Sequence, residues 1–308
     1  MTTLLFTHDA CLEHDPGPGH PESPDRLRAV KARLEEADFA ELQVRIAPRA
    51  ELDQIARVHP RDFVDEVLAA MPERGYVRID ADTVCSPGSR EAALRAAGAV
   101  CAAVDAVMAG EAQNAFCAVR PPGHHAEPTA PMGFCVFNNV AIGALHAHAA
   151  HGCERVAVID FDVHHGNGTQ AMFAPHANRF FASTHQYPLY PGTGARSERG
   201  VGNIVNAPLS PGSGGPEFRH AMSELVLPRL SEFAPDFILI SAGFDAHEDD
   251  PLAGLRLHEA DYAWITKEIL RVAGYSCHGR VVSTLEGGYD LTALAESAAA
   301  HVRALMAA

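Results

Sequence analysis

The sequence predicts an α/β fold built on a mostly parallel sheet with helices on both faces, and three observations carry that expectation. Short apolar runs recur at residues 116–119, 156–159, 180–183, 237–241 and 281–285. Stretches with helical periodicity, at 89–108, 138–150, 217–233, 258–273 and 291–305, are interleaved with them. Each apolar run ends in glycine, proline or ionisable residues. An uninterrupted apolar run suits a strand buried on both faces, and alternation with helices builds the crossover units of a parallel sheet.

At 308 residues, with no shift of composition that would mark a linker, the chain is expected to be one domain spanning 1–308. Its 39 acidic residues outnumber 24 basic ones, for a net charge of −15, and the bases are scattered. Such a surface repels phosphate backbones, which argues against direct nucleic-acid binding, whereas small cations are attracted. No basic segment leads into a long apolar run, and no apolar run reaches membrane-spanning length, so the expectation is a cytoplasmic protein without a membrane contact. Seven cysteines without a CxxC pair read as buried, reduced thiols.

Taken in order, the first run, FCAV, follows the alanine-rich helix at 89–108 and gives way to RPPGHH. The second, VAVI, runs into DFDVHHGN; the third, FFAS, into a threonine and then HQYPLYPGTG; the fourth, FILIS, through AG into FDAHEDD; the fifth, VVSTL, into EGGYD. Open α/β sheets bind ligands just beyond the carboxyl ends of their strands, so these five loops are expected to converge on one site.

Asp160, Asp162 and His164 alternate, which would put them on one face of an extended segment. Asp162, His164 and Asp245 offer oxygen and nitrogen donors to a divalent cation, with room for water and substrate. Zinc leads, although two carboxylates without a thiolate also suit Fe(II), Co(II) or Mn(II). A metal-free salt-bridge network would need cationic partners, and none is near in sequence. His124 and His125 lie in a loop stiffened by two prolines; a neighbouring acid can keep one protonated while the other stays neutral, giving a base and an acid. Two glycines would let Tyr289 enter the cleft, where a phenol can donate to a developing oxyanion.

These motifs, namely RPPGHHA (120–126), GFCVFNNVAIGA (133–144), VIDFDVHHGNGTQ (158–170), YPGTG (190–194), AGFDAH (242–247) and EGGYD (286–290), closely resemble zinc-dependent histone deacetylase family hydrolases. The likeness runs from about GHPESPDRL (19–27) to the last helix. It implies the single-domain arginase–deacetylase fold, with about eight mostly parallel strands. Motif by motif, it implies zinc on Asp162, His164 and Asp245, tandem histidines at His124 and His125, and a catalytic tyrosine at Tyr289. Asp160 matches an acid that orients His124. Asp160, Asp162, His164, Ser183 and Thr184 match the ligands of a structural potassium ion.

The mechanism so implied has Tyr289 and the metal polarise an amide carbonyl while His125 draws a proton from the attacking water. Gly133, Phe134 and Tyr190 match a narrow tunnel that grips an acyl-lysine, Gly287 is grouped with them, Leu252 sits at the rim, Asp82 is a candidate rim acid, and Arg26 matches an inner product channel. Asn167 stands where one branch of the family has an aspartate behind the second histidine, which should leave His125 less basic and aligns the chain with class II deacetylases and their bacterial relatives.

The expected substrate is an acyl-lysine peptide or protein, and the alternative is an acetylated polyamine, which the acidic charge would suit. The short run from His125 to Gly133 and the leucine at 252 favour the peptide. A dimetal ureohydrolase would need another ligating acid beside Asp245, where Ala246 and His247 stand. A catalytically silent acyl-binding module would be expected to have lost Tyr289 or a ligand, and all are present. The physiological substrate, the acyl chain and the oligomeric state stay open.

Overall fold

A computed structural model describes residues 2–308 and has the expected architecture. The strands are β1 (Thr3–Thr7), β2 (Gln43–Ile46), β3 (Val77–Arg78), β4 (Val84–Cys85), β5 (Asn114–Cys117), β6 (Val156–Asp160), β7 (Arg179–Gln186), β8 (Ile204–Leu209), β9 (Phe237–Ala242) and β10 (Val281–Leu285). The helices are α1 (Pro24–Leu34), α2 (Leu52–Ile55), α3 (Arg61–Ala70), α4 (Ser89–Met108), α5 (Asn139–His151), α6 (Asn167–Phe173), α7 (Gly215–Ala221), α8 (Leu227–Phe233), α9 (Glu259–Ser276) and α10 (Leu291–Met306). Eight strands pair in the order β2-β1-β5-β10-β9-β6-β7-β8, every pair parallel, and β3 and β4 form a separate antiparallel ribbon.

The five strands expected from the apolar runs are the five adjacent central ones, β5, β10, β9, β6 and β7. Because all are parallel, their carboxyl ends lie at one edge, and the loops that follow meet there. The sheet is covered on both faces. Ala115, Val282 and Leu239 are in register across three strands, and Leu239 points at Gly143 of α5 and its neighbour Val100 of α4. Phe116, next along β5, points the other way and meets His301 of α10 at 5.6 Å between ring centroids. α1 and α9 pack on α10 over that second face.

Strands β1, β2 and β8 have no counterpart among the sequence-derived runs. The helix expected at 217–233 is one continuous helical path that changes pitch through a π turn at Met222–Val226, just ahead of Pro228 near the start of α8. All seven cysteines are buried free thiols. No helix among the described residues is long and apolar enough to cross a membrane.

Candidate active site

β6 ends at Asp160, and the chain leaves the sheet as a bend rather than an extended segment. The expectation of one shared face for Asp160, Asp162 and His164 is therefore corrected: Asp162 and His164 turn together toward Asp245 beyond β9, and Asp160 turns to His124. His164 Nδ1 lies 3.2 Å from Asp162 Oδ1 and 3.1 Å from Asp245 Oδ2, and one ligand atom from each of the three falls within 4.8 Å of the others. Backbone amides aim the carboxylates: Gly287 donates to Asp162 Oδ2 at 2.8 Å, His164 to Asp162 Oδ1 at 2.9 Å, and Val163 to Asp245 Oδ1 at 2.8 Å. Gly287 is required by this approach, since a Cβ there would lie 2.0 Å from Asp245 Oδ2.

All three groups are buried. Burial, then repulsion from Asp162, pushes the Asp245 carboxyl up to about 7, while Asp162 is held low against its own burial by His124 and His164. His164, against the cost of burial, is raised to about 10 by the two carboxylates. Two close, dry carboxylates sharing one imidazole are a poor arrangement for the protein alone and a good one for a divalent cation, so the donor set fits a metal.

His124 Nδ1 donates to Asp160 Oδ2 at 2.9 Å, and His125 Nδ1 pairs with Asn167 Oδ1 at 2.8 Å. The two rings are alike in burial and opposite in charge preference. Burial opposes the charged form of His124, but Asp160 and Asp162 outweigh it and raise its pKa well above 6.5. His125 is pushed well below 6.5 by burial and then by the positive His124 and His164. One histidine is thus held cationic and its neighbour neutral.

Aromatic side chains stand beside this cluster. Tyr190 stands edge-on to His125 at 5.2 Å, and Phe134 lies 6.0 Å from Tyr289. Phe134 follows Gly133, and both have positive φ, 67° and 57°; a Cβ on Gly133 would come 2.5 Å from His125 Cδ2. The guanidinium carbon of Arg26 sits 4.8 Å from the centre of the Tyr289 ring. Surrounded by protein but open at one edge, Tyr289 has its pKa raised well above 10, by burial first, with Arg26 opposing and Asp245 and Asp162 adding to the rise.

Asp82, Leu252 and Arg26 connect to these residues. Asp82 Oδ1 accepts from Gly133 N at 3.0 Å, so this acid holds the loop that carries Phe134. Leu252 donates its backbone N–H to Asp250 Oδ1 at 2.9 Å, and Asp250 Oδ2 accepts from Tyr289 N at 2.8 Å, which links the Leu252 turn to the tyrosine. Ser183 and Thr184 lie on β7; Ser183 Oγ pairs with His185 Nδ1 at 2.9 Å, and Thr184 Oγ1 is buried without a hydrogen-bond partner. Arg26 donates to the backbone oxygens of Gly288 and Glu286 at 2.5 Å and to Glu22 Oε1 at 3.0 Å.

Several contributors escaped sequence reasoning. Glu286 accepts from the backbone of Gly123 at 2.6 Å and His124 at 3.2 Å, fixing the tandem-histidine loop; burial pushes it up to about 7 while His124 pulls it down. It is the first residue of EGGYD, so its position was visible and its partner was not. Glu22 is clasped by Arg26 and Arg120 and has His14 at 3.3 Å, in a fully buried cluster. His165, the second histidine of DVHH, turns away from the Asp162, His164 and Asp245 cluster and pairs with Thr193 at 2.8 Å and Gln170 at 2.9 Å. It supports the loop bearing Tyr190 instead of adding a ligand.

Residues 20–305 match the histone deacetylase domain. The chain belongs to the histone deacetylase family. Among curated proteins, it is 40% identical to histone deacetylase 14, chloroplastic, of Arabidopsis thaliana over 98% of this chain and 76% of the relative. It is equally identical to a histone deacetylase-like amidohydrolase of Pseudomonas aeruginosa, over 94% of this chain and 82% of that one. A crystal structure of the HDA15 HD domain superposes with a TM-score of 0.95 at 36% identity, covering 99% of this chain and 88% of the other. Family membership supports amide-hydrolase activity of the deacetylase type, and the buried Asp–His–Asp cluster agrees with a metal-dependent member.

Proposed function

We propose that this member of the histone deacetylase family is a zinc-dependent amidohydrolase that removes acetyl or longer acyl groups from lysine side chains of peptides or proteins. The observation that carries the reading is the buried Asp162, His164 and Asp245 cluster flanked by a cationic histidine and a neutral one. Zinc held by these three residues, with Fe(II) or Co(II) as substitutes, would supply Lewis acidity to the amide carbonyl and acidify the attacking water.

The chain's own groups do the rest. His125, with Nδ1 tied to Asn167, takes the proton of the attacking water at Nε2 and delivers it to the leaving amine. His124 keeps its Nδ1 proton, donated in a hydrogen bond to Asp160, and contributes fixed positive charge beside the developing oxyanion. Tyr289, held protonated by its raised pKa, donates its O–H to that oxyanion. Phe134 and Tyr190 flank the apolar stem of the acyl-lysine, with Gly133 and Gly287 shaping the tunnel, Leu252 at its rim and Arg26 beside the path by which the small acid leaves. A structural potassium ion on Asp160, Asp162, His164, Ser183 and Thr184 belongs to the same reading; it is supported by the register that sets Ser183 beside Asp160.

The net charge of −15 favours one second reading, an acetylated polyamine as substrate. Rates of the zinc-loaded protein on acetyl-lysine peptides, longer acyl-lysine peptides and N-acetylpolyamines, with metal-stripped protein as control, test both. Higher kcat/KM on peptides is the expected result. Preference for polyamines transfers the same chemistry to small molecules, and no hydrolysis of any amide overturns the proposal.

A further inference from the structure

We propose that Glu127 is a positioning residue that fixes the tautomer of His125 through the side-chain amide of Asn167, an inference that rests on His125 being the general base. Asn167 Oδ1 lies 2.8 Å from His125 Nδ1, and Asn167 Nδ2 lies 2.8 Å from Glu127 Oε1. A carboxylate only accepts, whereas a primary amide has one accepting end and one donating end. Glu127 therefore claims the Nδ2 end and leaves Oδ1 facing the ring. Because Oδ1 has no proton to give, the ring must donate: Nδ1 carries the hydrogen and the lone pair is left on Nε2. That is the tautomer a general base needs.

Turning the amide over would set Oδ1 against the Glu127 carboxylate, two acceptors face to face, and would point an N–H at Nδ1 so that the proton moved to Nε2. Without Glu127, little distinguishes the two orientations, since the other neighbour of Asn167 Nδ2 is the weak acceptor Met132 Sδ at 3.3 Å. His125 and Asn167 are both buried. Glu127 reaches them from a turn held by its own N–H on the Ala130 oxygen at 2.9 Å and by His59 Nδ1 on the Pro128 oxygen at 3.1 Å. The negative charge missing from position 167 thus stands one residue further back, where it orients the amide.

The test is a pair of substitutions, Glu127→Gln and Asn167→Asp, made singly and together in the zinc-loaded protein. Rates are measured on an acetyl-lysine peptide, and the His125 tautomer is read by 15N NMR of histidine-labelled protein, with the resonance assigned through His125→Gln. Glu127→Gln keeps the shape but offers either amide end, so kcat should fall about tenfold or more with KM close to wild type. Asn167→Asp alone brings two carboxylates together and should also slow the reaction. The double variant restores one acceptor for His125 and one donor behind it, so most of the lost rate should return. In the spectrum, the wild type should show the Nδ1–H form and Glu127→Gln a mixture. An unchanged rate in Glu127→Gln, or a loss that the double variant does not repair, overturns the proposal. If the wild type hydrolyses no acyl substrate, the general-base reading fails separately and the tautomer decides: its change on Glu127→Gln supports the positioning role, and its persistence refutes it.

Discussion

Gly287→Ala is expected to weaken metal binding strongly without unfolding the protein. The alanine Cβ would stand 2.0 Å from Asp245 Oδ2 and 2.6 Å from Asp162 Oδ2, whereas real Cβ atoms essentially never come within 3.0 Å of another heavy atom. Asp245 Oδ2 must therefore retreat by at least 3.0 − 2.0 = 1.0 Å. Metal–ligand distances tolerate only about 0.2 Å, so this displacement is several times what the cluster can absorb. The backbone itself is no obstacle, because Gly287, unlike Gly288 at φ 125°, does not need a left-handed conformation. Zinc affinity should fall by about 100-fold or more, measured by competition with a chromophoric chelator, while far-UV circular dichroism stays that of the wild type. A variant that binds one zinc with wild-type affinity and hydrolyses at the wild-type rate would refute the assignment of the metal to these carboxylates.

Three further outcomes follow from the same geometry. Tyr289→Phe should lower kcat on an acetyl-lysine peptide by at least ~10²-fold while KM changes little, the loss expected for an oxyanion donor; steady-state kinetics checks it. His125 must be neutral to act as a base, and its pKa is held well below 6.5 by burial and by neighbouring positive charge, so kcat/KM should stay level as pH falls to 6.5 and drop only below that value. A pH–rate profile already half lost above 6.5 would contradict the assignment. Glu22 is depressed well below 4.5, against its burial, by Arg120 and His14. A carboxyl whose folded pKa is depressed contributes stability above its unfolded value and loses it as pH falls through the folded one, so denaturant midpoints should decline below pH 4.5. Glu22→Gln should remove this residue's share of the decline, making it shallower, and cost about 3–5 kcal/mol at pH 7 by leaving Arg26 and Arg120 uncompensated.

The central sheet was legible because its strands are apolar throughout and each ends in a change of residue type, from VAVI into DFDVHH or from VVSTL into EGGYD. Strands at and near its margins lack that contrast. β2 reads QVRI and exposes all four residues at the sheet edge, and β8 carries Asn206 and Pro208 inside IVNAPL. Asp162, His164 and Asp245 were legible as donors because buried acids at strand ends demand a purpose. What sequence could not supply was which distant group each one meets. Glu286 reaches back 163 residues to Gly123, Arg120 reaches Glu22 across 98, and Glu127 finds Asn167 across 40; such pairs exist only once the crossovers have brought their strands together. His165 shows the converse: adjacent to His164 in sequence, it turns instead to Thr193 and Gln170, because the chain has left β6 at Asp160 and bends there, so neither adjacency nor alternation fixes where its side chain points.

The most direct test of the account is a zinc titration of metal-stripped protein followed by hydrolysis of an acetyl-lysine peptide, with Asp162→Asn in parallel. The account predicts a rate that rises linearly, breaks at one zinc per chain, and is absent from the variant. Full activity in the stripped protein, a break at two metals, or an unaffected variant would contradict it.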